Sequence, residues 1–216
     1  MIKLIAFDLD GTICDSLSLC THAFRKAVSP YAGHELSDEE IFRTFGLNET
    51  GMIKAIIEKN WEDALQDFYT YYEEFHYMCT SCFSGIPELI GFLKEKGITV
   101  SLITGKGEKS CHMTLQKLEL DNAFSDVLCG NDHAHNKAEN MQLLIDKYAL
   151  AKDEFLYIGD AITDVTACKS IGITCLSAAW QEVSNVENLR LENSPYVFES
   201  VEDVREFLAE RLSSDI

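Results

Sequence analysis

Positive charge is scarce in this chain: 18 Lys and Arg stand against 36 Asp and Glu, a formal net charge of −18. A surface field of that sign repels nucleic-acid backbones and anionic lipid, so neither is an expected partner. No apolar run approaches the roughly 18 residues that a membrane-spanning helix needs. A secretory leader is not read either, because Asp8 and Asp10 interrupt the first apolar stretch. The eight cysteines are therefore expected to be reduced thiols of a soluble cytoplasmic protein rather than a disulfide framework. Internal repeats, low-complexity tracts and long flexible linkers are also missing, which leaves one compact domain carrying an insertion.

What is present supports a buried core. A chain of 216 residues, 46% of them hydrophobic, buries roughly 70% of the surface its unfolded form exposes. Residues 2–7 form a short apolar, β-branched run that stops at Asp8, Asp10 and Gly11, as a buried strand does. Runs of the same character cover 98–103, 155–158 and 173–177, with a short strand at 196–198. Helical patterns separate them at 87–96, 108–118, 137–148 and 163–170, and 200–212 reads as a capped surface helix. Alternation of this kind predicts a Rossmann-like, doubly wound parallel sheet whose ligands sit beyond the carboxyl ends of its strands.

Residues 17–80 break the alternation with helical periodicity and no convincing strand, and are read as an inserted helical cap on a core of 1–16 and 81–216. Ser37-Asp38-Glu39-Glu40 has the form of a capping box, Gly46 to Gly51 marks a turn, and 61–77 is an aromatic-rich amphipathic stretch.

The chemistry concentrates at strand ends. Asp8 and Asp10 lie two residues apart and so face the same side of an extended backbone, while Gly11 lets the chain turn. A second acidic pair, Asp160 and Asp164, is spaced to meet across one helical turn. Four acids gathered in one cleft repel one another, and a hard divalent cation such as Mg²⁺ is the usual reason for tolerating that.

Phe7 to Ser16 (FDLDGTICDS), Thr104-Gly105-Lys106, Lys137 and Gly159 to Asp164 (GDAITD) together resemble the haloacid dehalogenase-like hydrolase superfamily, and the inserted helices resemble its phosphoglycolate phosphatase-like branch. That resemblance implies a Mg²⁺-dependent phosphatase acting on a small phosphorylated metabolite, as a monomer or homodimer. Asp8 would be the nucleophile and form an aspartyl-phosphate. Asp10 would protonate the leaving oxygen and then activate water. Thr104 and Gly105 would hold phosphate oxygens, and Lys137 would balance charge on Asp8 and the phosphoryl group. Asp8, the Asp10 main-chain carbonyl and Asp160 would bind the metal, with Asp164 as a ligand or as an anchor behind the ligands.

The chain departs from the family at the third motif, where Lys137-Ala138-Glu139-Asn140 stands in place of Lys-Pro-x-Pro. Lys106 and Lys109 are alternative sources of the same charge, although Lys106, beside a helix start, reads equally well as exposed. Asn48 and Glu49, between cap helices, are the expected substrate-inspecting residues. Asp15 reads as part of a helix start. Cys79-x-x-Cys82 reads as reduced cysteines at the hinge, and His133 and His135 as an exposed loop.

The main rival readings are a phosphosugar mutase using the same two aspartates and a noncatalytic phospho-ligand binder; pyrophosphate and nucleotides remain open as substrates. Asp8→Asn is expected to abolish phosphate release by an enzyme while leaving a pure binder's ligand affinity largely intact, and parallel turnover and titration assays separate the two.

Overall fold

The computed structural model describes residues 1–213. Strand β1 (Leu4–Phe7) is followed by helices α1 (Leu17–Ala32), α2 (Asp38–Phe42), α3 (Glu49–Ile56) and α4 (Trp61–Glu74), and a short 3₁₀ turn, Phe75–Met78, ends this helical run. The chain continues through α5 (Ile86–Glu95), β2 (Thr99–Ile103), α6 (Glu108–Lys117), β3 (Val127–Leu128), α7 (Lys137–Tyr148) and β4 (Phe155–Gly159). It closes with α8 (Ile162–Ile171), β5 (Thr174–Ala178), α9 (Val186–Asn193), β6 (Val197–Phe198) and α10 (Val201–Ser213).

The six strands form one parallel sheet in the order β3-β2-β1-β4-β5-β6. The winding reverses beside β1, whose Phe7 pairs with Leu102 on one side and Ile158 on the other. A doubly wound sheet opens its crevice at such a reversal. This is the expected α/β architecture, with helices inserted after the first strand.

Period-two alternation divides the apolar residues of β1 between two cores. Leu4 and Ala6 join Met141, Leu144, Phe155 and Tyr157 on the face covered by α7 and α8. Ile5 and Phe7 join Leu89, Leu93, Val204 and Leu208 on the opposite face, and that cluster continues into the inserted helices through Phe24, Phe68 and Tyr72. The strand is dry on both sides, which is why its sequence is almost uninterrupted in apolar residues.

The chain crosses into and out of the inserted helices along adjacent paths. Cys14 forms an isolated antiparallel bridge with Cys82, and the Phe83 amide donates to the Ile13 carbonyl at 2.9 Å. The Ser37 hydroxyl accepts the Glu40 amide and the Glu40 carboxylate accepts the Ser37 amide, so the capping box forms. The expected turn over 46–51 is shorter: Asn48 caps α3 by accepting the Gly51 amide at 3.0 Å, which draws residues 49–51 into the helix. Strand β3 and helix α9 have no counterpart in the sequence reading. The first has only two half-exposed residues and the second buries only Leu189, so neither leaves a periodic signal. No helix among the described residues is long and apolar enough to cross a membrane.

Asp126 ties the β2 side of the sheet to α7. Its carboxylate accepts from Tyr148 Oη at 2.6 Å and Ser101 Oγ at 3.4 Å and pairs with Lys147 Nζ. Partial burial works against ionisation, but these donors outweigh it and hold the carboxyl below its usual range. A lowered folded-state pKa contributes stability above the unfolded value, and that stability is lost as pH falls through the folded one. Asp126→Asn is expected to cost on the order of 1 kcal/mol at neutral pH. In denaturant titrations the difference from the native chain should vanish under strongly acidic conditions.

Candidate active site

The carboxyl ends of β1, β2 and β4 bring the polar motifs together. The Asp8 amide donates to the Ile158 carbonyl at 2.8 Å, which fixes the backbone as it leaves β1, and the Leu9 amide donates to Asp8 Oδ1 at 2.8 Å. Gly11 then takes a left-handed conformation, with φ 77°. A side chain there would collide with the Asp160 carboxylate, so the turn requires glycine both for its backbone and for the space. Thr12 Oγ1 reaches Asp160 Oδ1 at 3.3 Å, and the Thr12 carbonyl accepts Trp180 Nε1 at 3.0 Å.

Asp8, Asp160 and Asp164 each bring a carboxylate oxygen within 4.8 Å of the other two. Burial raises Asp8 to about 7; Lys137 opposes the shift and Asp164 adds to it. Burial, followed by the charges of Asp8 and Asp164, pushes Asp160 well above the carboxylate range. The protein's own countercharge is Lys137, whose Nζ lies 2.6 Å from both Asp8 Oδ2 and Asp164 Oδ1. Burial works against its charge, but Asp164 and Asp8 more than offset this and keep the amine protonated. An all-oxygen donor set, crowded and electrostatically underpaid, fits a hard divalent cation.

Asp10 points away from this cluster. Its Oδ1 accepts from Ser16 Oγ and sits 3.1 Å from Lys106 Nζ. Lys106 is not exposed: it is buried with its ammonium 2.9 Å from Cys20 Sγ and 4.8 Å from the centre of the Tyr72 ring. Burial disfavours that charge, yet Asp10 and its other neighbours keep Lys106 protonated. Burial also pushes the Cys20 thiol up to about 12, against the pull of Lys106. The open-loop reading of Lys106 failed because its partners come from α1 and α4, far away in sequence. Lys109 lies over the Tyr69 ring, 4.1 Å from its centre, so of the three lysines considered Lys137 is the one on Asp8.

Thr104 is fully buried at the end of β2, and its hydroxyl accepts the Lys106 amide at 3.2 Å while retaining its own proton to donate. Gly105 lines the cavity. Asn48 faces the core, with its amide on the Asn131 carbonyl at 2.9 Å and Nδ2 on the Gly130 carbonyl at 3.3 Å. Glu49 is buried and accepts the Gly107 amide at 2.9 Å and the Ser110 hydroxyl. A carboxylate there meets the positive end of α6 and latches the inserted helices to the core.

His133 is exposed and turns to Asp132, whereas His135 lies at the cavity's edge against Gly46. Asp15 precedes α1 and accepts from Gln181 Nε2 at 2.8 Å. Gln181, another cavity residue, had no motif to mark it. All eight cysteines are free.

Comparison with known proteins is consistent across the chain. The family model described as haloacid dehalogenase-like hydrolase matches residues 5–178. A protein of Caldanaerobacter subterraneus subsp. tengcongensis named "Putative pyrophosphatase PpaX" is 29% identical over 203 residues, covering 93% of this chain and 91% of its own. A protein of Vibrio parahaemolyticus named phosphoglycolate phosphatase is 25% identical over 221 residues, covering 96% of each. A hydrolase from Pseudomonas syringae superposes with a TM-score of 0.80 at 23% identity, over 96% of this chain and 98% of its own, a likeness of fold.

Glu49→Ala removes the acceptor from the buried Gly107 amide. It is expected to lower stability by about 1–3 kcal/mol and to speed hydrogen exchange at Gly107, as read by exchange mass spectrometry.

Proposed function

The chain belongs to the haloacid dehalogenase-like hydrolase family, and from that premise we propose that it is a Mg²⁺-dependent phosphatase that hydrolyses a small phosphorylated metabolite through an aspartyl-phosphate. The observation that carries this reading is the pairing of Asp8 with Lys137 at 2.6 Å, beside Asp160 and Asp164 and next to a second aspartate held on its own lysine. In this reading residues 17–80 act as a cap over a core of 1–16 and 81–216, in a cytoplasmic enzyme.

Asp8 attacks phosphorus through a carboxylate oxygen; the new O–P bond forms as the ester O–P bond breaks. The Asp10 carboxyl gives its proton to the departing oxygen. The Asp10 carboxylate then takes a proton from water as that water attacks phosphorus, which releases inorganic phosphate and restores Asp8. Lys137 pulls against the burial that disfavours charge on Asp8 and offsets charge on the phosphoryl oxygens, and Thr104 Oγ1 and the Gly105 amide donate to them. Asp8, Asp160 and the Asp10 carbonyl, with Asp164 beside or behind them, would hold the Mg²⁺, which when bound neutralises phosphoryl charge. The acidic pair at the end of β4 and the cradle under Gly11 support that ligand set.

A mutase returns the phosphoryl group to a sugar hydroxyl and needs polar groups to orient the sugar between the two transfers. The cap-side lining is rich in Leu17, Phe24, Phe45, Leu47, Met52 and Phe68, which favours the hydrolase.

Phosphate release from a panel of phosphomonoesters and pyrophosphate is expected with Mg²⁺ and to cease with chelator. Lys137→Met is expected to lower kcat/KM by about 10²–10³, the size of effect seen when one charge-stabilising donor is removed. Absence of release from every substrate, a generic aryl phosphate included, overturns the phosphatase reading.

A further inference from the structure

The two aspartates open into a cavity of about 760 Å³ roofed by the inserted helices. That is the scale of a pocket for a drug-sized organic ligand. Its two ends differ in chemistry. At the core end are Asp8, Asp10, Asp160, Lys106 and Lys137. The cap end is built from Leu17 and Phe24 of α1, Phe45 and Leu47 of the connection between α2 and α3, Met52 of α3 and Phe68 of α4. Phe45 is held edge-on by Phe42, ring centres 5.2 Å apart, at the half-exposed rim.

Charge decides what this end accepts. Four carboxylates line the cavity, Asp8, Asp10, Glu49 and Asp160, against two lysines. Both lysines are already paired, Lys137 with Asp8 and Asp164 and Lys106 with Asp10. Among the described residues no arginine lines the cavity. The five in the chain lie elsewhere: Arg25 on Asp38, Arg43 on Glu39, Arg190 on Glu199, Arg205 on Glu202 and Arg211 on the Phe207 ring. A bound divalent cation would bring the lining to neutrality, and the transferred phosphoryl group would then add its own negative charge. A leaving group carrying a second phosphate or a carboxylate, as pyrophosphate and phosphoglycolate do, would place a further anion beside Glu49 and apolar side chains with no unpaired lysine or arginine to meet it, a costly burial, although His135, Gln181, Thr163, Thr166 and Ser170 also line the cavity. An uncharged hydrocarbon leaving group would bury its surface there favourably.

We propose that the substrate is a phosphomonoester whose leaving group is an uncharged, largely apolar alcohol, alkyl or aromatic, seated against Phe24, Phe45, Leu47, Met52 and Phe68. This assignment rests on the phosphatase reading above and narrows it. The leaving oxygen faces Asp10, and the hydrocarbon runs away from the aspartates beneath α1, α3 and α4.

The test is kcat/KM for propyl, butyl, pentyl and hexyl phosphate, whose leaving groups are similar in basicity, alongside phosphoglycolate, pyrophosphate and an aryl phosphate. Each enclosed methylene is worth up to about 0.8 kcal/mol, or about fourfold, so hexyl phosphate is expected to exceed propyl phosphate by about tenfold or more. Phe45→Ala and Leu47→Ala, both at half-buried positions in a connecting segment, are each expected to lower the hexyl-to-propyl ratio several-fold. A flat alkyl series with pyrophosphate or phosphoglycolate preferred overturns the apolar assignment and leaves the phosphatase standing. Should no compound release phosphate, the phosphatase reading falls, and calorimetric binding to Asp8→Asn decides the assignment. Hexyl phosphate binding about tenfold tighter than inorganic phosphate supports the apolar chamber; equal affinity overturns it.

Discussion

The organising constraint is the crowding of carboxylates at the end of β1. Three of them meet within 4.8 Å, Asp8 and Asp164 buried and Asp160 half-buried, and a fourth, Asp10, adds its charge nearby. Such a group persists only if positive charge is held among its members, and this chain has little to give. It commits two lysines: the half-buried Lys137 from the start of α7 lies between Asp8 and Asp164, and the buried Lys106 from the turn after β2 rests on Asp10. The pairing keeps the two neighbouring aspartates in different surroundings, one crowded by acids and the other enclosed by a hydroxyl, a thiol and an aromatic ring. Environments that differ in this way are how adjacent carboxylates take on separate roles as nucleophile and proton carrier.

That electrostatic arrangement depends on the inserted helices as much as on the sheet. Cys20, Ser16 and Tyr72, which surround the Lys106–Asp10 pair, belong to or flank α1 and α4. Glu49 satisfies the first amide of the turn into α6, and the apolar cluster runs without a break from β1 into α1 and α4. Docking of the helices, exclusion of water and the state of the second aspartate are thus coupled: a displacement of α1 would remove Ser16 and Cys20 from Asp10 together.

Much of this was legible in the sequence, for definable reasons. Buried parallel strands are short apolar runs ending in polar residues, so β1, β2, β4 and β5 were marked along with Asp8, Thr104 and Asp160 at their ends. The helices over 108–117 and 137–148 carry amphipathic periodicity within their own span, and the one over 162–171 is stopped by the left-handed Gly172. What escaped was set by distant partners. Lys106 has an ordinary exposed-loop context, and only Asp10, Cys20 and Tyr72 make a buried site for it. Glu49 read as part of a loop between helices, whereas α3 begins there and its carboxylate accepts the Gly107 amide while still lining the cavity. Gln181, in a loop beyond β5, has no local pattern that ties it to Asp15.

The side-by-side passage of Cys14 and Cys82 has a consequence for how such a molecule can vary. Because the inserted segment leaves and rejoins the sheet-bearing unit at neighbouring points, the core sees it as a closed loop, and the entropic penalty of a closed loop grows only with the logarithm of its length. The roof of the chamber can therefore be lengthened, shortened or exchanged for one of different chemistry with little strain on the sheet register that aims Asp8. Ligand preference can therefore drift as a heritable trait at the roof's apolar lining, so long as Ser16, Cys20 and Tyr72 are kept around Asp10 and Lys106.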